Sequence, residues 1–123
     1  MRSVDPDHPV IADNSWSMTF FESMTPATDD WKVSSVVDIF GLSVYPQSWD
    51  VHIASDPCAI SQIYHGGVCA SPGAPAMVSE LQTHNQTMLG QNSSVFDEIK
   101  LWTWQAFMYG VQALVYWKWR PFT

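Results

Sequence analysis

Four short apolar segments recur along this chain, and their spacing restricts the folds open to it. They cover residues 9–12, 37–44, 76–79 and 111–119, and their starts lie 28, 39 and 35 residues apart. An interval of that size holds a strand, a crossover helix and two loops, which is what a parallel connection requires. The segments are apolar on both faces, as strands covered on both sides are. The predicted order is β-α-β-α-β-α-β, an α/β architecture of about four βα units with parallel strands.

The connecting helices differ in clarity. The strongest runs over residues 94–109, with Ser94 as N-cap and Asp97 three residues on, close to a capping box. Val95, Ile99, Trp102, Ala106 and Tyr109 recur at three- and four-residue steps and predict one apolar face. Gly110 supplies the stop, because it tolerates the left-handed conformation at a helix end. A second helix is predicted over residues 48–64, interrupted or restarted at Pro57. Residues 29–36 are the helical candidate in the first crossover. Gly66-Gly-Val-Cys-Ala-Ser-Pro-Gly73 reads as a loop by composition.

Composition excludes several function classes. The 123 residues are 46% apolar and 14% charged, so a packed core is intended. Five Lys and Arg in a chain of net charge −7 argue against nucleic acid, which needs clustered cations. No uninterrupted apolar stretch of membrane-spanning length occurs, and Met1-Arg-Ser-Val-Asp-Pro6 has no apolar signal core. Cys58 and Cys69 match no zinc or redox spacing and read as two buried free thiols, with a local disulfide as the second reading.

In a barrel of βα units the reacting groups sit at strand C-termini and in the loops that follow. The candidates are then Asp13 and Asn14 after the first strand, Tyr45 after the second, Glu80 and Gln82 around the third, and residues 117–120 at the fourth. Glycosidic cleavage needs two carboxyl groups flanking an anomeric carbon and aromatic faces to hold the ring. Glu80 supplies one carboxylate, and seven Trp and four Tyr supply the aromatics. Each has a plainer account. A lone strand-end Glu is ordinarily solvated, Trp102 and Trp104 read as core packing, Arg120 suits a structural ion pair, and His84 lacks a ligand partner at helical spacing.

At these residues the chain resembles the catalytic domain of family 42 glycoside hydrolases, the β-galactosidases among the retaining (β/α)₈ enzymes. The resemblance lies in Asp5-Pro-Asp-His-Pro-Val-Ile-Ala-Asp-Asn14, in Asp30-Trp-Lys32 with Val37-Asp-Ile-Phe-Gly-Leu-Ser-Val-Tyr-Pro46, in Met77-Val-Ser-Glu-Leu-Gln82, and in Ile99-Lys-Leu-Trp-Thr-Trp-Gln105, Gly110 and Tyr116-Trp-Lys-Trp-Arg120. It implies a partial TIM barrel, strands five to eight, with residues 1–123 as a single partial catalytic domain. A whole barrel needs about 250 residues.

By position, the resemblance makes Glu80 the nucleophile in double-displacement hydrolysis of terminal β-galactosides. Tyr45 becomes a donor to Glu80 or to the sugar, Trp117 an aromatic of the sugar subsite, and Asn14 or Asp13 a lining of the cleft. It implies a carbohydrate partner and neither cofactor nor metal, since the family's cysteine metal site lies outside this segment. The departures are specific. The general acid/base Glu has no counterpart here, so the isolated chain is expected to be inactive. Ser43 stands where the family often has Asp, and Thr83-His-Asn-Gln-Thr87 replaces a usual Trp. Other readings are another retaining enzyme such as a β-glucosidase or mannanase, a non-catalytic sugar-binding remnant, and a structural half-barrel that self-associates through open sheet edges.

Overall fold

Parallel strands that follow one another in space as they do in sequence must carry their crossover helices on the same face, because such crossovers are right-handed. The computed structural model, which describes residues 3–15, 29–47, 56–83 and 96–118, has this arrangement. Its elements are β1 (Ile11–Ser15), α1 (Asp30–Ser34), β2 (Ile39–Val44), α2 (Pro57–Ala70), β3 (Ala76–Gln82), α3 (Phe96–Met108) and β4 (Ala113–Trp117). One sheet runs β1-β2-β3-β4, every pair parallel. A doubly wound sheet needs a reversal of strand order; none occurs among the described strands, and the chain is an α/β partial TIM barrel.

The core lies between one sheet face and the helices. Phe40, Leu42 and Val44 of β2 and Val78 and Leu81 of β3 meet Ile60, Ile63 and Tyr64 of α2 and Trp102 and Ala106 of α3. Side chains alternate across a strand, so Gly41, Ser43, Met77 and Ser79 fall on the second face. The strands are shorter or longer than their apolar runs predict. β1 begins two residues after Pro9 and includes Asp13 and Asn14, while β3 continues through Gln82. Asp13, Asn14, Glu80 and Gln82 are therefore strand residues rather than loop residues.

α1 opens on Asp29, whose carboxylate accepts the Lys32 N–H at 3.1 Å and lies 3.0 Å from Lys32 Nζ. The Lys32 hydrogen bonds hold that carboxyl below its ordinary 3.8. α2 opens on Asp56, which accepts from the Cys58 N–H at 2.9 Å, and has Pro57 in its first turn, where a missing N–H costs nothing. Pro57 thus stands in the first turn of a helix, and residues 48–55 of the predicted one lie outside the described residues. The helix also runs on through Gly66 and Gly67, which composition alone assigns to a loop. Packing explains the difference. A Cβ at Gly67 would stand 2.4 Å from Leu42 Cδ1, so glycine lets α2 lie close on β2.

α2 also corrects the cysteine expectation. Its buried stripe is Ile60, Ile63, Tyr64 and Gly67, and Cys58 and Cys69 fall off it, both free and exposed. α3 starts at Phe96, with the predicted cap Ser94 outside the described residues, and ends before Gly110 at φ 95°. Trp102 is 1% exposed but Trp104 is 62% exposed. Two residues on a helix turn a side chain by about 200°, so core packing accounts for Trp102 alone. Gln105 Nε2 reaches Pro57 O at 3.1 Å and Ser61 Oγ at 3.2 Å, fastening α3 to the start of α2.

Tyr64 is fully buried and its hydroxyl has no hydrogen-bond partner among the described residues. Burial pushes the phenol above its ordinary 10.0. The folded state therefore keeps a proton that the unfolded state releases, and stability is present below pH 10 and lost as pH rises above it. Tyr64→Phe is expected to remove that alkaline decline. It should also stabilise the chain by about 1 kcal/mol at neutral pH, because an unsatisfied buried hydroxyl is costly. Urea midpoints at pH 7 and above pH 10 check both.

Candidate active site

The sequence of β3 carries a contradiction that its backbone resolves. Strict alternation from Ala76 and Val78 on the helix face would bury Glu80 and turn Leu81 outward. Against β2, however, Leu42 pairs with Val78 and Ser43 with Glu80, so Ser79 is one extra residue. Against β4 the same shift falls between Val78 and Leu81. A β-bulge of this kind re-aims side chains. Ser79 and Glu80 consecutively join the second face, Leu81 returns to the core, and Gln82 follows Glu80.

The second face collects the polar groups at the C-terminal ends of the strands. Tyr45 Oη donates to Glu80 Oε2, joining the end of β2 to the bulge of β3. Tyr45 is 9% exposed, and Glu80 is half-buried. The turn after Tyr45 is itself fixed. Pro46 is buried, the Gln47 N–H donates to Gln82 Oε1 at 2.9 Å, and Gln47 Nε2 donates to Glu98 Oε2 at 2.8 Å. Gln82 is fully buried and holds the backbone of Gln47, two residues past Tyr45.

β4 contributes Trp117, half-buried and opposite Gln82 in register. The register of β4 puts Leu114 and Tyr116 with the helix-facing Val78 and Leu81, which leaves Trp117 on the face of Glu80. Thr83 N–H donates to Trp117 O at 3.0 Å and Thr83 Oγ1 to Lys118 O at 3.1 Å, holding the two strand ends together. β1 contributes Asp13, whose carboxylate accepts from Ser43 Oγ at 2.9 Å and from Ser79 Oγ at 2.5 Å. Asn14 pairs in register with Leu42, and its side chain lies outside the described residues.

Of the residues predicted from sequence, Tyr45 and Glu80 are in direct contact, Trp117 shares their face, and Asp13 is tied to the residue beside Glu80. Trp119, Arg120 and His84 lie outside the described residues. Ser79 and Gly41 escaped the sequence reading altogether, and Ser43 entered it only as a departure from the family pattern. The break in apolar alternation between Val78 and Leu81 was the available signal for Ser79.

A cavity of about 480 Å³ lies away from these groups, between α3 and β4. Phe96, Ile99, Trp104 and Tyr116 line it together with Lys100, Thr103, Thr83 and Lys118. No carboxylate is among these described lining residues, whereas glycosidic chemistry needs one. Among the described residues no three His, Cys, Asp or Glu side chains converge as metal ligands would.

What the second face offers is a carboxylate oriented by a phenol, at the C-terminal end of a barrel strand, with an indole beside it. Acid–base or nucleophilic work on a sugar uses these groups in this place. Among curated proteins none matches the chain. Comparison with known protein families matches residues 1–122 to glycoside hydrolase family 42, described as beta-galactosidase. With the match covering nearly the whole sequence and the parallel βα sheet as its fold, this chain belongs to that family of β-galactosidase-type glycoside hydrolases.

Proposed function

We propose that this chain is the C-terminal half of a retaining β-galactosidase barrel, strands five to eight, and that Glu80 is its nucleophile. The observation that carries the reading is the hydrogen bond from Tyr45 Oη to Glu80 Oε2 on the face that also holds Trp117. With Oε2 held by the phenol, Oε1 attacks the anomeric carbon. A bond forms between that carbon and Glu80, and the bond to the leaving oxygen breaks. Water then attacks the same carbon, its proton passing to a base and the carboxylate departing. Trp117 holds the apolar face of the ring.

The general acid that protonates the leaving oxygen has no counterpart in the sequence. Loss of that group costs roughly 10²–10⁴-fold, so the isolated chain turns over natural galactosides at a negligible rate. An aryl β-galactoside with an activated leaving group needs little acid assistance and isolates the first step. Intact mass spectrometry should then find one hexose added to the chain, located on Glu80. An unmodified chain after prolonged incubation would overturn the nucleophile assignment.

Both β1 and β4 have a single neighbour in the sheet among the described residues. An unpaired edge is a template for another strand, which supports self-association of the chain through these edges. The expected result is a weight-average mass that rises with concentration in sedimentation equilibrium. A constant monomer mass over a hundredfold range, taken as roughly 1–100 μM, would refute it.

A further inference from the structure

A bulge residue has no partner in the ladder, so something outside the ladder must hold it. In β3 that residue is Ser79, and its hydroxyl reaches across β2 to Asp13 of β1, donating to Oδ1 at 2.5 Å. Ser43 Oγ, on the strand between, donates to both oxygens of the same carboxylate at 2.9 and 3.0 Å. Such a reach needs a low floor. Gly41 lies opposite Asp13 in register, and a Cβ there would stand 3.0 Å from Ser79 Oγ and 2.7 Å from the carbonyl oxygen of Ala12. Three strands thus supply one carboxylate, two hydroxyls and a notch, all directed at the residue next to Glu80.

We infer that Asp13 is a positioning residue for Glu80, acting through Ser79 to hold the β3 bulge. The inference rests on the reading of Glu80 as nucleophile. Hydrogen bonds to an ionised acceptor are the stronger kind, and this one fixes which residue of β3 is the extra one. Were the bulge to move past Glu80, that side chain would alternate to the helix face and Tyr45 would lose its acceptor. Asp13 does not touch the sugar in this role; it decides where the attacking oxygen stands.

The test uses the full chain with ¹³C-labelled glutamate. Glu22, Glu80 and Glu98 are its glutamates, so three side-chain carboxyl resonances are expected and Glu80→Gln assigns one of them. Ser79→Ala and Asp13→Ala should each move the Glu80 resonance. They should also slow adduct formation from the activated galactoside by about 10- to 100-fold, as misplacement of a reacting group does. Ser79→Thr and Asp13→Asn, which keep a hydroxyl donor and an oxygen acceptor, should restore both readouts towards wild type. If Asp13→Ala fails to fold, Ser79→Ala decides. A Glu80 resonance or an adduct rate unchanged in folded Ser79→Ala overturns the inference. If the wild-type chain forms no adduct, the nucleophile reading fails by itself, and the resonance alone still decides whether Asp13 and Ser79 hold Glu80.

Discussion

Glu80→Gln should abolish formation of the hexose adduct from an activated aryl β-galactoside while leaving the fold in place. The substitution keeps the shape of the side chain, and the amide oxygen still accepts from the Tyr45 hydroxyl that bonds Glu80 Oε2. What is lost is the negative oxygen able to form a bond to the anomeric carbon. Removal of a covalent nucleophile costs on the order of 10⁶-fold where it has been measured in other hydrolases, so the adduct should fall below detection. Intact mass over time, with far-ultraviolet circular dichroism as the control for folding, measures this. Tyr45→Phe is the instructive companion, since it keeps the nucleophile and removes its donor. An adduct that persists in Glu80→Gln would place the reacting group elsewhere and leave Glu80 a structural acceptor for Tyr45.

Trp102→Ala is expected to cost the chain about 3–5 kcal/mol, the range for truncating a large buried aromatic. Trp102 is 1% exposed and sits in the core cluster with Leu81, Val78 and Ala106. A single domain is stable by about 5–15 kcal/mol in total, and a four-stranded sheet whose two edge strands each have one neighbour among the described residues has no reason to be at the top of that range. The variant should therefore be largely unfolded in dilute urea. Trp104→Ala, two residues on and 62% exposed, should change stability by less than about 0.5 kcal/mol. Urea unfolding followed by circular dichroism compares the two. Equal losses would mean that α3 packs on the sheet through a different face.

Much of the architecture was legible because parallel βα units impose a chemical rhythm on the sequence. Four apolar runs are separated by three intervals, each long enough for a helix, and no other ordering of the chain accommodates that as simply. α3 was legible for the same reason, with Ile99, Trp102 and Ala106 on one face and Gly110 at its end. α2 was not. Gly66 and Gly67 are helix-weakening residues in isolation, and the close approach of Leu42 shows what the glycine at 67 makes possible. The exposure of Cys58, Cys69 and Trp104 likewise follows from which stripe of each helix the sheet selects.

The chemistry divides in the same way. The sequence by itself determined the fold class, the family pattern, and the placing of Glu80 near the end of a strand, because residue types and their spacing carry that information. The family resemblance left Tyr45 a donor to Glu80 or to the sugar, and the tertiary structure decided that Glu80 faces Tyr45 rather than the core. That outcome depends on one extra residue at Ser79, and the bulge is joined by side-chain hydrogen bonds to Asp13, 66 positions away in the chain. Alternation along a strand is a local rule, whereas the place where it breaks is set by partners on other strands.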